Sequence, residues 1–274
     1  MAGYQIAILA IIATVLALFL LWLYLIAPRA RQNAVKPFCR PLAHRGIWNE
    51  DVPENSLAAF ERAAAAGFGI ELDVQLSSDG EVMVFHDDTL SRMCGKEGRL
   101  GDYAAAELGE MHLLNSDQAI PTLREVLAVV AGRVPLLIEM KGESRSTALV
   151  PPLLAVMREY SGEWCVESFN PLLVRAVWKS DPTVLRGLLV TDMVKEKKGG
   201  PLVRNLGLSA MLLNFLCRPA FVAWNCKFPK SITRAVAFRC FGAASFTYTV
   251  KDEAAYQAFL ESGTTPIFDS FIPQ

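Results

Sequence analysis

Histidine is scarce and charge of either sign is balanced: 274 residues hold three histidines, and 27 lysines and arginines stand against 28 aspartates and glutamates. A near-zero balance leaves no electrostatic footprint for nucleic acid, so no such partner is expected. The six cysteines (Cys39, Cys94, Cys165, Cys217, Cys226 and Cys240) never take CxxC spacing, which excludes a zinc ribbon or a dithiol redox motif. A chain of this length builds its core without disulfide staples, so these thiols are expected to be reduced and mostly buried. Internal repeats and low-complexity tracts are also missing. The longest absence is at the N terminus, where Met1 to Pro28 carry no charged side chain.

That uncharged stretch is a membrane element by length. Tyr4 to Ala27 would cover about 36 Å as a helix, enough to cross a bilayer. Tyr4 at one end and Trp22 and Tyr24 near the other suit the headgroup level. A cleaved signal peptide is the competing reading. The run lacks a basic region before it and exceeds the usual signal-peptide core, so residues 1–28 are expected to be a retained transmembrane anchor. Arg29, Arg31, Lys36 and Arg40 follow in a basic linker, residues 29–40. Their charge predicts a single-pass membrane protein with its catalytic domain on the cytoplasmic side.

From residue 41 to 274, strand-length apolar runs alternate with helix-length amphipathic ones, which predicts an α/β fold on a parallel sheet. The clearest strands are Gly69 to Leu76, Val82 to His86, Pro135 to Met140, Trp164 to Ser168 and Leu185 to Val190. Ala210 to Asn214, Ala244 to Val250 and Pro266 to Phe268, with Pro41 to His44, make nine. A TIM-type (β/α)8 barrel needs eight, so one, with Ala210 to Asn214 the first choice, is expected to be a loop or an irregular extra strand. Helices are expected over Ser56 to Ala66, Thr122 to Ala131, Thr147 to Tyr160, Pro171 to Ser180, Pro219 to Cys240 and Asp252 to Ser262. Ser56 and Thr122 serve as caps, the latter with Glu125 at capping-box distance. Residues 90–119 fit no strand-helix unit and are expected to be a small insertion.

The chemistry falls at strand ends, the face where barrels of this type assemble sites. Side chains two apart on a strand share a side, so Glu71 with Asp73, and Glu139 with Lys141, can point into one site. Glu71, Asp73 and Glu139 together form an oxygen-rich set suited to Ca²⁺ or Mg²⁺. Both pairs stand in apolar runs, where unpaired carboxylates would be costly. Arg45 as a planar fork and Lys141 as a point charge could hold phosphate oxygens, with a structural ion pair as the competing reading of each. His44 and His86 can supply the proton acceptor and proton donor of a phosphodiester cleavage, with the two roles left open between them. A lone histidine at a strand end is more often structural, so this reading rests on the pair; His112, in the insertion, is left as a surface or structural residue. Pro53-Glu54-Asn55-Ser56 is fully explained as a turn and cap, yet Glu54 can still approach the site.

The ordered set His44-Arg45-Gly46, Pro53-Glu54-Asn55-Ser56, Glu71-Leu72-Asp73-Val74, His86-Asp87, Pro121-Thr122-Leu123, Glu139-Met140-Lys141 and Ser168-Phe169 resembles the motif series of glycerophosphodiester phosphodiesterases. The resemblance runs from about Pro41 to the C terminus. It implies a TIM-type barrel with a small insertion, metal ligands Glu71, Asp73 and Glu139, the acid-base pair His44 and His86, and phosphate held by Arg45 and Lys141. Phe169 and Tyr248 are the implied apolar walls. The sequence departs from the family late, at Tyr248-Thr249-Val250-Lys251 and Phe268-Asp269-Ser270, where Lys251 and Asp269 change the local charge.

The implied activity is metal-dependent hydrolysis of a glycerophosphodiester to sn-glycerol 3-phosphate and an alcohol. Two alternatives stand beside it. A lysophospholipase D acting on membrane lysophospholipids is favoured by the anchor. A catalytically idle membrane protein that senses phosphodiesters is the reading of another class.

Overall fold

Among the described residues nine strands form one sheet that closes on itself. They are β1 (Leu42–His44), β2 (Gly69–Leu76), β3 (Val82–Val84), β4 (Leu136–Met140), β5 (Trp164–Ser168), β6 (Arg186–Val190), β7 (Phe221–Asn225), β8 (Ala244–Val250) and β9 (Thr265–Phe268). Every neighbouring pair is parallel except β2 with β3, and β1 pairs with both β2 and β9. The closed ring is therefore β1-β2-β4-β5-β6-β7-β8-β9, the eight-stranded parallel barrel expected from the alternation. The computed structural model describes residues 2–29, 31–142 and 145–274; Met1 and Ala30, within the expected anchor and linker, lie outside them.

Among the described residues twelve α-helical segments accompany the strands: α1 (Ala2–Ile26), α2 (Gln32–Val35), α3 (Leu57–Ala65), α4 (Ser91–Cys94), α5 (Ala105–Leu108), α6 (Leu123–Val130), α7 (Val150–Met157), α8 (Pro171–Ser180), α9 (Leu202–Ser209), α10 (Asn214–Cys217), α11 (Ile232–Arg239) and α12 (Glu253–Glu261). The expected caps form. Ser56 accepts from the Ala59 amide at 3.1 Å, and Thr122 and Glu125 close a reciprocal capping box at the start of α6.

Two assignments differ from the sequence reading. Val82–Val84 is the surplus strand: residues 77–81 between β2 and β3 are too few for a parallel crossover, which needs a dozen or more residues, so the chain turns back in an antiparallel hairpin. Its strand ends at Val84, and His86 therefore stands on a loop and not on a barrel strand. The stretch Pro219 to Cys240, expected as one helix, splits into β7 and α11. Phe221, Val222, Ala223 and Trp224 are all nearly or fully buried, the mark of a strand covered on both faces. Ala210 to Asn214 is no strand; it joins α9 to α10.

The period-two alternation of the strands divides the core into shells. Ile70, Leu72, Val74, Leu136, Ile138 and Val166 face outward under the helices, whereas Leu42, Leu137, Cys165, Phe221, Phe246 and Ile267 fill the lower lumen. Val35 and Phe38, in the stretch read as a basic linker, are 1% and 2% exposed and join that lumen cluster, so this segment packs into the barrel's N-terminal end. The insertion carries a core of its own, built on Met83, Phe85, Leu90, Met93, Leu100 and Leu108. All six cysteines are free thiols, but only Cys165 and Cys217 are buried, Cys94 and Cys226 being intermediate and Cys39 and Cys240 exposed, against the expectation of burial for most.

Helix α1 contains Tyr4–Ile26, which is long and apolar enough to cross a membrane and whose most apolar part is not buried; a signal sequence has the same character. Its end is fastened to the barrel. Asn214 Nδ2 donates to the Ile26 carbonyl at 2.7 Å, the Arg29 amide donates to the Pro219 carbonyl at 2.8 Å, and the Arg31 guanidinium donates to the carbonyls of Pro182 and Thr183.

Lumen packing leaves no slack at β6. A Cβ on Gly187 would lie 2.0 Å from the Phe221 ring. Gly187→Ala is expected to destabilise the fold by about 1–3 kcal/mol through overpacking, read as a lowered thermal unfolding midpoint; an unchanged midpoint would show that the ring has room to move.

Candidate active site

Two residues beyond the apolar lumen layer, the same strands change character. Leu42 is followed by His44, Leu137 by Glu139, Cys165 by Glu167, Phe246 by Tyr248 and Ile267 by Asp269, each on the same side of its strand. Register carries β2 into the same layer, because His44 pairs with Glu71 and Asp73 pairs with Glu139. The barrel's C-terminal mouth is thus lined with ionisable groups while its base stays apolar.

The loop after β1 makes a left-handed turn, with φ of +59° at Arg45 and +83° at Gly46. Gly46 needs that conformation and the space as well, since a Cβ there would lie 2.7 Å from the Ala59 carbonyl carbon. The turn is held by the Arg45 amide, which donates to the Glu71 carbonyl at 2.9 Å and faces Glu71 Oε2 at 3.1 Å. It aims the Arg45 side chain inward. Nη1 donates to Glu54 Oε1 at 2.7 Å, and Nε lies 3.3 Å from Asp73 Oδ2.

Asp73 is the centre of the arrangement. Lys141 Nζ lies 2.8 Å from Asp73 Oδ1 and 2.8 Å from Glu139 Oε1, and Asn55 Nδ2 donates to Asp73 Oδ2 at 2.9 Å. Burial alone would raise the Asp73 pKa, but Lys141 and Arg45, helped by both imidazoles, hold it far below the usual carboxylate range. Its neighbours fare oppositely. Burial, then the charges of Asp73 and Glu139, push Glu71 well above its ordinary value. Burial and the Asp73 charge, against the pull of Lys141, push Glu139 up to about 7. Oxygens of Glu71, Asp73 and Glu139 all lie within 4.8 Å of one another.

The two histidines flank this cluster in unlike settings. His44 has Nδ1 3.5 Å from Asp269 Oδ2 and Nε2 3.9 Å from Glu71 Oε2. Burial lowers its pKa, against the pull of Asp269. His86 has Nδ1 2.6 Å from Asp87 Oδ1. Its pKa is also lowered, by burial and then by Lys141 and Arg45. Arg92, from the insertion, donates to Asp87 Oδ2 at 2.5 Å and to Glu54 Oε1 at 2.6 Å. These contacts link Arg45, Glu54, Arg92, Asp87 and His86 into one charged chain.

The structure therefore brings together Glu71, Asp73, Glu139, His44, His86, Arg45 and Lys141. Phe169 and Tyr248 meet edge to face at 5.9 Å beside the lumen cluster, and the Tyr248 hydroxyl donates to the Val190 carbonyl at 3.0 Å. His112 stays on the surface of the insertion, with Nδ1 3.0 Å from the Ser116 carbonyl oxygen. Three members of the site escaped the sequence reading. Glu167, 1% exposed, has Oε2 without a partner, and its carboxyl is raised well above the usual range by burial and then by Glu139. Its position in the apolar run of β5 is the same signal that drew attention to Glu139. Asp269 was noted only as a change of charge, although it ends a strand as His44 does. Arg92 lies in the insertion, where no periodicity marks it.

A family model described as the glycerophosphoryl diester phosphodiesterase family matches residues 44–272. The chain is 36% identical over 159 residues to a glycerophosphodiester phosphodiesterase of Caldanaerobacter subterraneus subsp. tengcongensis, covering 54% of this chain and 65% of that one. It is 30% identical over 177 residues to glycerophosphodiester phosphodiesterase 1 of Homo sapiens, covering 61% of this chain and 51% of that one. The chain thus spans about half to two-thirds of the length of these curated relatives. Among solved structures, an Oleispira antarctica phosphodiesterase in complex with the product sn-glycerol-3-phosphate superposes with a TM-score of 0.69 at 24% identity, over 84% of this chain and 92% of that one. At that identity the likeness is one of fold.

Lys141 is the counter-charge shared by two buried carboxylates. Lys141→Met leaves Asp73 and Glu139 side by side without it and is expected to destabilise the fold by about 3–5 kcal/mol at neutral pH. Thermal unfolding against the unsubstituted chain reads the loss; equal midpoints would mean the pair contributes nothing net.

Proposed function

Because the chain belongs to the glycerophosphoryl diester phosphodiesterase family, we propose that it hydrolyses a glycerophosphodiester to sn-glycerol 3-phosphate and an alcohol. The observation that carries this reading is the carboxylate cluster of Glu71, Asp73 and Glu139 with His44 and His86 on its flanks. An all-oxygen donor set fits Ca²⁺ or Mg²⁺. The raised pKa values of Glu71 and Glu139 report burial first and then the charge of Asp73, a cost that protons relieve and that a divalent cation relieves as well. When bound by these three carboxylates, such an ion supplies Lewis-acid polarisation of the phosphoryl group.

The protein's own groups do the rest. Arg45 and Lys141, the cations of the cluster, hold non-bridging phosphate oxygens, Arg45 as a fork whose position is set by Glu54 and Lys141 as a point charge. One histidine takes a proton from the nucleophile, either water or the substrate's own glycerol 2-hydroxyl, and the other gives a proton to the departing alcohol. The lowered pKa of both keeps the neutral imidazole available to act as base below the ordinary histidine range. Asp87 orients the His86 ring by engaging Nδ1, which turns Nε2 to the reaction. Phe169 and Tyr248 wall the alcohol side.

A second reading, a lysophospholipase D, is favoured by one observation: α1 is hydrogen-bonded to the barrel at Ile26 and Arg29, so a retained anchor ties the barrel to the membrane that carries an amphiphilic substrate. In this reading α1 spans the membrane and the barrel lies on the cytoplasmic side, by the charge of Arg29, Arg31, Lys36 and Arg40.

Full-length chain assayed with glycerophosphocholine, glycerophosphoethanolamine and lysophosphatidylcholine, with Ca²⁺, Mg²⁺ or chelator, tests the proposal. Metal-dependent release of glycerol 3-phosphate is expected, with His44→Ala and His86→Ala each lowering kcat about 10²–10⁴-fold. Turnover of the lysolipid alone would move the assignment to the second reading, and binding without turnover would leave a sensing role. The same chain predicts a pH effect on metal affinity. The ion needs Glu139 ionised, so as pH falls through about 7 protons compete and affinity weakens. Calorimetric titration at about pH 8 and about pH 6 should show the tighter binding at the higher pH; a flat dependence would remove Glu139 from the ligand set.

A further inference from the structure

The connection between β6 and β7 shows solvent a set of apolar side chains that the chemistry of the barrel does not use. On α9, Leu202, Val203 and Leu206 are 60%, 82% and 52% exposed. Spaced i, i+1 and i+4, they share one helix face. Asn205, turned the other way, is buried and donates to the Lys198 carbonyl at 2.8 Å, which fixes which face looks out. Single exposed apolar residues are ordinary on a protein surface, but three on one short helix form a patch.

Two observations say what covers it. The connection runs from the rim of the site to the apolar helix α1. At one end, Asn225 Nδ2 at the close of β7 donates to Glu196 Oε1 at 2.8 Å, and the Tyr248 hydroxyl bonds the carbonyl of Val190, where β6 ends. At the other end, α10 meets α1 through Asn214 and Ile26, and the rings of Phe215 and Tyr24 lie 5.8 Å apart. Exposed cations stand close by in the sequence, Lys197 and Lys198 just before α9 and Arg204 within it. An apolar helix face edged with lysine and arginine complements a lipid surface, its side chains entering the acyl boundary and its cations meeting anionic headgroups.

We propose that α9 lies in the interfacial layer of the membrane crossed by α1, with Leu202, Val203 and Leu206 toward the acyl chains and Lys197 and Lys198 among the headgroups. This contact lays the connection between β6 and β7 against the lipid surface. The inference rests on the reading of α1 as a membrane span.

The full chain, with the exposed Cys39 and Cys240 replaced by serine, is reconstituted in phosphatidylcholine–phosphatidylserine vesicles. A polarity-sensitive fluorophore is attached at Val203→Cys, at Leu16→Cys in α1, or at Ala106→Cys in the insertion. Lipids brominated on their acyl chains should quench the labels at positions 16 and 203 and leave position 106 bright, while iodide in the water quenches only position 106. Quenching at 16 with position 203 as open to iodide as 106 would overturn the interfacial contact and leave the span intact. Protection of position 203 from both quenchers would overturn it as well, showing the face covered by protein, such as a second copy of this chain. No lipid quenching at 16 would remove the span and the proposal with it.

Discussion

Burial of several carboxylates in one barrel mouth poses the electrostatic problem that the surrounding structure answers. Glu71, Asp73, Glu139 and Glu167 are all nearly solvent-free, and the cations set among them are Arg45 and Lys141. Equal burial does not give equal charge. Asp73 takes a contact from each cation and an amide from Asn55, and it stays ionised, while Glu71, Glu139 and Glu167 are pushed toward neutrality. Much of the local backbone exists to serve that one carboxylate. Asn55 adopts a φ of +55° and its amide donates to the Arg45 carbonyl; Arg45 is itself left-handed, and Gly46 follows because no Cβ fits against Ala59. Left-handed backbone at a non-glycine residue is costly and persists only where surrounding contacts over-determine it. The motif around His44 is thus a device for delivering a guanidinium to Asp73.

The same strands that carry the charges also isolate them. A pleat puts alternate residues on one side, so the step from Leu137 to Glu139 or from Phe246 to Tyr248 moves from the apolar lumen to the polar layer without any change of direction. Phe38 and Val35 fill the lumen from below, beneath the Phe221 and Phe246 pair whose centroids lie 4.8 Å apart. Water has no polar partner there. A low-dielectric base strengthens every interaction in the layer above it, which is why a handful of contacts suffices to split the pKa values of adjacent carboxylates so far.

The sequence made the barrel, its caps and the convergence of Glu71, Asp73 and Glu139 legible because each rests on local rules: alternation, capping boxes, and carboxylates in apolar runs. What escaped it depended on distance or on a missed local limit. The hairpin of β2 and β3 was readable, since residues 77–81 are too few for a parallel crossover, yet an apolar triplet of strand type fits a barrel equally well until length is counted. Strand β7 was hidden because Phe221 to Asn225 precedes a helical stretch with no strong break in pattern, and burial on both faces removes the period-two signature. Residues 29–40 read as a linker by their basic charge; Val35 and Phe38, the two apolar residues that matter, carry no periodicity in so short a segment. Arg92 could not be found at all, because its role comes from the insertion folding back on Glu54 and Asp87.

That insertion makes the two histidines unequal. His44 ends a barrel strand between Glu71 and Asp269, and its side chain is 16% exposed; His86 hangs on a loop beyond β3, tied through Asp87 to Arg92, with a side chain 33% exposed. Asp87 itself is held down to about 2, because hydrogen bonds from Arg92 and His86 outweigh its burial. A carboxylate that stays charged over the whole working range keeps the His86 ring in one tautomer whatever happens at Nε2. His44 has a carboxylate partner of its own in Asp269, whose pKa is lowered, against its burial, by the hydrogen bond with His44 and by Ser270 and Lys251, but this partner lies at the end of β9 and not in the insertion. The charges of Asp73 and Arg45 reach both rings, and Lys141 acts on His86 as well. Two imidazoles in unlike surroundings can hold unlike protonation states at one pH, which is what the proposed division of base and acid between them requires.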